Sequence, residues 1–116
     1  GVAMRLRLLV VLAAGIAAYL IIGLWFATIY RGLASVEGSG FFAQPGPPAP
    51  GDFVYFSFIT LTTVGYGDLT PLSNSARSAA VIEAVLGQIF LVTLVAGLVS
   101  LWRPGKARAA ADPGDT

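Results

Sequence analysis

The reading turns on one stretch, Phe53-Val54-Tyr55-Phe56-Ser57-Phe58-Ile59-Thr60-Leu61-Thr62-Thr63-Val64-Gly65-Tyr66-Gly67-Asp68. Its first ten residues, Phe53 to Thr62, are mostly apolar. Ten residues are too short to span a bilayer, and these are too apolar to lie in water. A re-entrant helix that dips in and stops suits such a segment. Asp52 is placed to cap that helix, with Phe53 as its first residue. In Thr62-Thr63-Val64-Gly65-Tyr66-Gly67-Asp68, two glycines then alternate with bulky residues. Glycine tolerates positive φ, so alternate residues can turn their carbonyls the same way. Irregular backbone at membrane depth is tolerated only where protein buries it or where it lines a watery path.

Outward from this stretch lie two long apolar runs. Leu8 to Tyr30 is 23 residues without a charge, roughly 34 Å as a helix and long enough to cross a ~30 Å hydrocarbon layer with some tilt. Ser78 to Trp102 is 25 residues interrupted by Glu83, and its uninterrupted part, Ala84 to Trp102, is 19 residues. Pro104-Gly105 marks the stop. The basic start at Arg5 and Arg7 resembles a signal peptide, but the run is too long and no small-residue cleavage site follows it. Arg5, Arg7, Arg103, Lys106 and Arg108 flank the outer ends of the hairpin, while the connection carries only Arg31 and Arg77 beside Glu37, Asp52 and Asp68. The positive-inside rule puts both termini in the cytoplasm and the 31–77 segment outside. Trp25, Phe26, Tyr30 and Trp102 stand where aromatic belts form. Glu37 to Gly51, rich in Gly and Pro, reads as an exposed loop. The expected layout is a single domain over 1–116: an outer helix at 8–30, a loop at 31–51, a short helix at 52–62, a glycine-bearing turn at 63–68, an inner helix at 77–103 and a tail at 104–116.

Composition agrees with a membrane hairpin. The chain has 116 residues, 56% of them hydrophobic and only 11% charged, against about 25% charged in ordinary soluble domains. Disorder needs the opposite balance. There are no cysteines and no histidines, which removes disulfides, thiolate nucleophiles, Cys/His metal sites and histidine acid–base chemistry. Of six acids only Glu83 falls in a span, and no nucleophile–base pair is visible, so an enzyme is not expected. A net charge of +1 is too balanced for nucleic-acid binding.

Thr63-Val64-Gly65-Tyr66-Gly67-Asp68 resembles the signature filter of potassium channels, and the order span, loop, short helix, filter, span resembles the pore module of that family over about residues 8–102. The resemblance implies an all-α membrane protein, with two transmembrane helices and a re-entrant pore helix, working as a homotetramer in contact with membrane lipid. Four filter loops would surround one axis. The carbonyls of Thr63, Val64, Gly65 and Tyr66 and the Thr63 hydroxyl would replace the water shell of K⁺. Gly67 would form the outer mouth, with Asp68 just behind it. Tyr66 is the discriminating position, since related non-selective channels carry an acid there. Thr62 and Thr63 lie at the carboxyl end of the pore helix, whose partial negative charge favours a cation.

The resemblance also assigns roles on the inner helix. Gly87 stands about twenty residues after Gly67, where a hinge glycine is common; close helix packing is the alternative. Gly97 is a second candidate, with packing favoured. Gln88, Leu91, Val95 and Val99 would face the water-filled cavity, with Gln88 forming a polar ring below the filter or else a helix–helix hydrogen bond. Relative to Glu83 these four fall at roughly 140°, 80°, 120° and 160°, a mean of about 125°. Glu83 should therefore face the back of the inner helix and bond a pore-helix hydroxyl such as Ser57 or Thr60. The alternative is a partly hydrated acid near the outer interface. Where some members place a glutamate in the pore helix this chain has Ile59, so a carboxyl pair with Asp68 cannot form there. Tyr55 stands where tryptophan is frequent, and its hydroxyl would brace Asp68; the alternative is a core aromatic.

No span carries arginines at every third position, so no voltage sensor is expected. The tail is expected to be disordered and is too short for a regulatory domain, and Arg103, Lys106 and Arg108 serve topology better than lipid binding. The chain reads as a complete minimal channel or as the pore of a larger one, in the plasma membrane of a prokaryote. No small-molecule substrate is expected. Rival readings are a cation channel of weaker selectivity and a non-conducting accessory hairpin.

Overall fold

The computed structural model describes residues 1–38 and 40–102; the expectations for Arg103, Pro104-Gly105, Lys106, Arg108 and the tail lie outside the described residues. The described residues form three helices: α1 (Val2–Glu37), α2 (Pro50–Leu61) and α3 (Asn74–Trp102). α1 has 36 residues, longer than the expected 8–30. Hydropathy marks the part that sits in hydrocarbon, not the part that is helical, and Arg5, Arg7 and Arg31 are good helix formers. The helix stops at Gly38, whose φ of 71° is left-handed and whose N–H donates to the Ala34 carbonyl at 3.3 Å, a common way to satisfy the last orphan acceptors.

α2 begins three residues before the expected Phe53. Pro50 takes the first helical position, where its fixed φ suits and its missing N–H costs nothing. Asp52 is not the cap: it sits in the first turn and its Oδ2 accepts the Ala49 N–H at 2.9 Å. α3 starts at Asn74, three residues before the expected 77. Ser73 leads into it, accepting the Ala76 N–H at 3.1 Å and donating to Glu37 Oε1 at 2.8 Å. This ties the end of α1 to the start of α3.

Both long helices are apolar on the outside. Mean hydropathy reaches 2.5 and 2.3 in their most apolar windows, of which only 11% and 6% is buried within the chain. Val10, Ile21, Ile89 and Val92 are all exposed. A soluble core helix would be mostly buried, so these surfaces belong in lipid or against other subunits.

The core is aromatic and lies at one end of the hairpin. Phe26, Tyr30, Phe41, Phe42, Phe53 and Phe56 pack together with Ala76, with neighbouring ring centroids 4.8 to 6.3 Å apart. Here the exposed-loop expectation for 37–51 fails, because Phe41 and Phe42 are buried. Glycine and proline exclude regular structure around them but do not decide burial. Phe41 to Ala43 pair antiparallel with Thr70 to Leu72 instead: Ala43 N–H donates to Thr70 O at 2.8 Å, and Leu72 N–H donates to Phe41 O at 2.9 Å. Gln44 clamps the ribbon from its side chain, accepting the Thr70 N–H at 2.9 Å and donating to the Thr70 hydroxyl at 3.1 Å.

Candidate functional site

The loop after α2 inherits its start from the helix. Thr62 is the C-cap; its N–H and its hydroxyl both donate to Phe58 O, at 3.0 and 2.6 Å. Thr63 N–H donates to Thr60 O at 3.1 Å and Gly65 N–H to Ile59 O at 2.9 Å, so the helix end winds tightly into the loop. From there every second residue has positive φ: Thr63 at 62°, Gly65 at 54° and Gly67 at 86°. Val64 and Tyr66 between them do not. Two of the three positions are glycines, for which this conformation carries no Cβ penalty. Thr63 is the exception, since a β-branched residue at positive φ is a strained outlier of the kind that clusters at functional sites. An alternating backbone cannot form a strand or a helix. The Val64 and Tyr66 side chains are bare on the single chain.

Side chains on all three helices hold this loop and the helix beneath it. Tyr55 donates to Asp68 Oδ2 at 2.8 Å, bridging the side of α2 to the far end of the loop. That bond is the first cause of a phenol pKa raised above its ordinary value. Glu83 is fully buried. It accepts Tyr30 OH on Oε1 at 2.6 Å, and its Oε2 lies 2.6 Å from Ser57 Oγ, which also reaches Gly23 O at 2.6 Å. Of the two hydroxyls expected near Glu83, Ser57 is the partner and Thr60 is not. Tyr19 donates to Leu61 O at 3.0 Å, capping a carbonyl at the carboxyl end of α2. The spacing explains the convergence. Tyr19, Gly23 and Tyr30 lie on one face of α1, Ser57 and Leu61 four apart on α2, and Glu83 and Gly87 four apart on α3.

Glycine lets these faces meet. A Cβ on Gly87 would stand 2.7 Å from Leu61 O, and one on Gly23 would stand 2.5 Å from Phe58 Cε1. Of the two roles expected for Gly87, close packing is the one with a contact behind it. Gly97 has open space around it. Gln88, Leu91, Val95 and Val99 are all exposed on the chain. Leu91 and Val95 border one shallow depression, whereas Val99 borders the groove where α3 meets Leu8, Leu9 and Leu12 of α1. Among the described residues no acidic, His or Cys cluster could hold a metal.

Residues 6–103 match the family described as Ion channel. The chain belongs to the ion channel family. Its resemblance to a potassium channel pore module thus extends over nearly its whole length, and its two long apolar helices agree with a membrane-embedded channel segment. It is 36% identical over 84 residues to Two pore potassium channel c of Oryza sativa subsp. japonica, covering 72% of this chain and 17% of that protein. It is 39% identical over 49 residues to Two-pore potassium channel 5 of Arabidopsis thaliana, covering 42% and 12%. Protein LctB of Bacillus caldotenax is 36% identical over 92 residues, covering 72% of this chain and 66% of that protein. The chain thus spans less than a fifth of the length of these plant relatives.

Several residues that hold this ion channel together carry no signal in its sequence. Tyr30 passes as an interfacial aromatic, yet it is the partner of the one acid inside a span. Tyr19 sits unremarked in an apolar run. Only the cost of leaving Glu83 unpaired in hydrocarbon hints that a donor must face it, and nothing local says which.

Proposed function

We propose that four copies of this chain surround one axis and form a potassium-selective pore. The observation that carries the reading is the positive φ at Thr63, Gly65 and Gly67 within Thr63-Val64-Gly65-Tyr66-Gly67-Asp68. A backbone of this alternating kind can offer rings of carbonyl oxygen in place of the water shell of K⁺. In this reading Thr63, Val64, Gly65 and Tyr66 line the ion path, with the Thr63 hydroxyl at its inner end and Gly67 at the outer mouth. Asp68, held by Tyr55, stiffens the mouth from behind. Thr62 and Thr63 place the negative end of α2 toward the ion. Gln88, Leu91, Val95 and Val99 face the cavity below. One chain cannot enclose a filter, so assembly is part of the mechanism. The basic residues at the outer ends of the hairpin orient both termini to the cytoplasm of a cell membrane.

The test is flux from liposomes holding the purified protein, with K⁺ inside and Na⁺ outside. A membrane potential near the K⁺ equilibrium value, abolished by barium, is the expected result. Flux without a potential would replace this reading by a weakly selective cation pore, and would turn attention to Ile59, where a second carboxyl brace is absent. Silence combined with a crosslinked dimer would leave only the accessory hairpin.

A further inference from the structure

The contacts of Glu83 fix where a proton must be. Ser57 Oγ lies 2.6 Å from Gly23 O and 2.6 Å from Glu83 Oε2. Both distances require a hydrogen between the oxygens, since O–H···O contacts centre on about 2.7–2.8 Å. A serine hydroxyl supplies one hydrogen only. Gly23 O is a carbonyl and can only accept, so if Ser57 donates to it, nothing on Ser57 remains for Glu83. Were Glu83 an ionised carboxylate, one of the two contacts would set two lone pairs face to face at 2.6 Å. Tyr30 cannot supply the missing hydrogen, because its own is engaged with Oε1 at 2.6 Å. The carboxyl group is the remaining source. Its surroundings agree: Glu83 is fully buried, and among the described residues no lysine or arginine pairs with it. A buried charge without a partner is far costlier than a neutral, hydrogen-bonded acid.

We infer that Glu83 is a neutral carboxylic acid in the folded channel, and that its proton forms one continuous chain, Tyr30 O–H to Oε1 and Oε2–H to Ser57 Oγ–H to Gly23 O. Each member then donates and accepts without conflict. The chain joins all three helices: Tyr30 and Gly23 on α1, Ser57 on α2 and Glu83 on α3. One turn further along α2 lies Leu61, which packs against Gly87 and is capped by Tyr19. Glu83 is therefore a positioning residue. It sets the angle of α2, and so the height of Thr63, through a proton and not through a charge. The inference does not depend on which ion the pore passes.

Infrared spectroscopy of the full chain in liposomes at neutral pH tests this. The expected result is a protonated-carboxyl C=O band in the wild type that shifts in D₂O and is lost in Glu83→Gln. In Tyr30→Phe, which frees Oε1 but keeps the acid, the band moves to higher wavenumber, so this variant decides the matter if Glu83→Gln does not assemble. A wild-type spectrum without the band overturns the inference. So does a band that survives Glu83→Gln, or one unmoved in Tyr30→Phe. Because the readout is a bond vibration, it stands whether or not the pore proves selective for K⁺.

Discussion

Tyr55 and Asp68 stand thirteen positions apart, and their bond spans the loop that separates them. Tyr55→Phe removes the donor and keeps the ring. In the proposed pore the expected outcome is a reversal potential shifted toward zero in mixed K⁺/Na⁺, measured across a planar bilayer; an unchanged potential and unchanged inactivation would make the bond idle. The pH dependence has a definite sign. The phenol's pKa is raised in the fold, so its contribution is fully present below the ordinary phenol value of about 10. It is lost only as pH rises through the higher, folded value. Selectivity that depends on Tyr55 should therefore persist past the pH at which a free phenol ionises. At Gly65 and Gly67 the issue is backbone. Alanine at positive φ costs about 1–2 kcal/mol per residue, repeated in each subunit. Gly65→Ala should lose ion flux while circular dichroism still reports the helices.

At the scale of elements, the aromatic cluster and the helix crossing make separate demands. Phe41 is buried among Tyr30, Phe42, Phe53 and Phe56, and truncating a buried phenylalanine typically costs about 3–5 kcal/mol. Phe41→Ala should lower the thermal midpoint of the detergent-purified protein markedly, and Phe41→Leu much less. The loop around it then behaves as a strap, since Phe41 to Gln44 holds the segment that leaves the proposed filter loop. At the crossing of α2 and α3 the demand is for absence of a side chain. Gly87→Ala puts a methyl 2.7 Å from a backbone carbonyl, and overpacking of that kind costs about 1–3 kcal/mol. Reduced thermal stability at unchanged helix content is the expected measurement. Full stability would mean that the helices part easily there, which would favour the hinge role instead.

For the whole molecule, the two long helices keep most of their apolar surface outside the chain, while Val64 and Tyr66 of the proposed filter stand exposed. A single copy therefore leaves unmet both the burial of α3 and the enclosure of the ion. Crosslinking in liposomes should give a ladder that ends at four. A ladder ending at two would remove the proposed pore along with its selectivity.

The spans, the re-entrant helix and the glycine-marked loop could be read directly from the sequence, because each depends on local chemistry: run length against bilayer thickness, or the one residue type that accepts positive φ without penalty. Helical arithmetic, applied to the cavity positions that the family resemblance implies, also pointed to the face of Glu83. Its ends were less legible. Pro50 and Asn74 begin their helices, and Gly38 ends the first, for reasons of capping that hydropathy does not register. What only the tertiary structure decided is which distant groups meet. Phe41 and Phe42 lie in a Gly/Pro-rich loop and are buried because that loop, paired with Thr70 to Leu72, lays them against Tyr30, Phe53 and Phe56. Thr63 adopts a conformation its own side chain disfavours, held by the winding of the α2 end. Tyr30 reaches Glu83 across 53 positions, and Ser57 turns between Glu83 and Gly23 because three helices are close enough there to share a proton. Contacts of that range depend on packing, where the cost of an unpaired buried group outweighs any local preference.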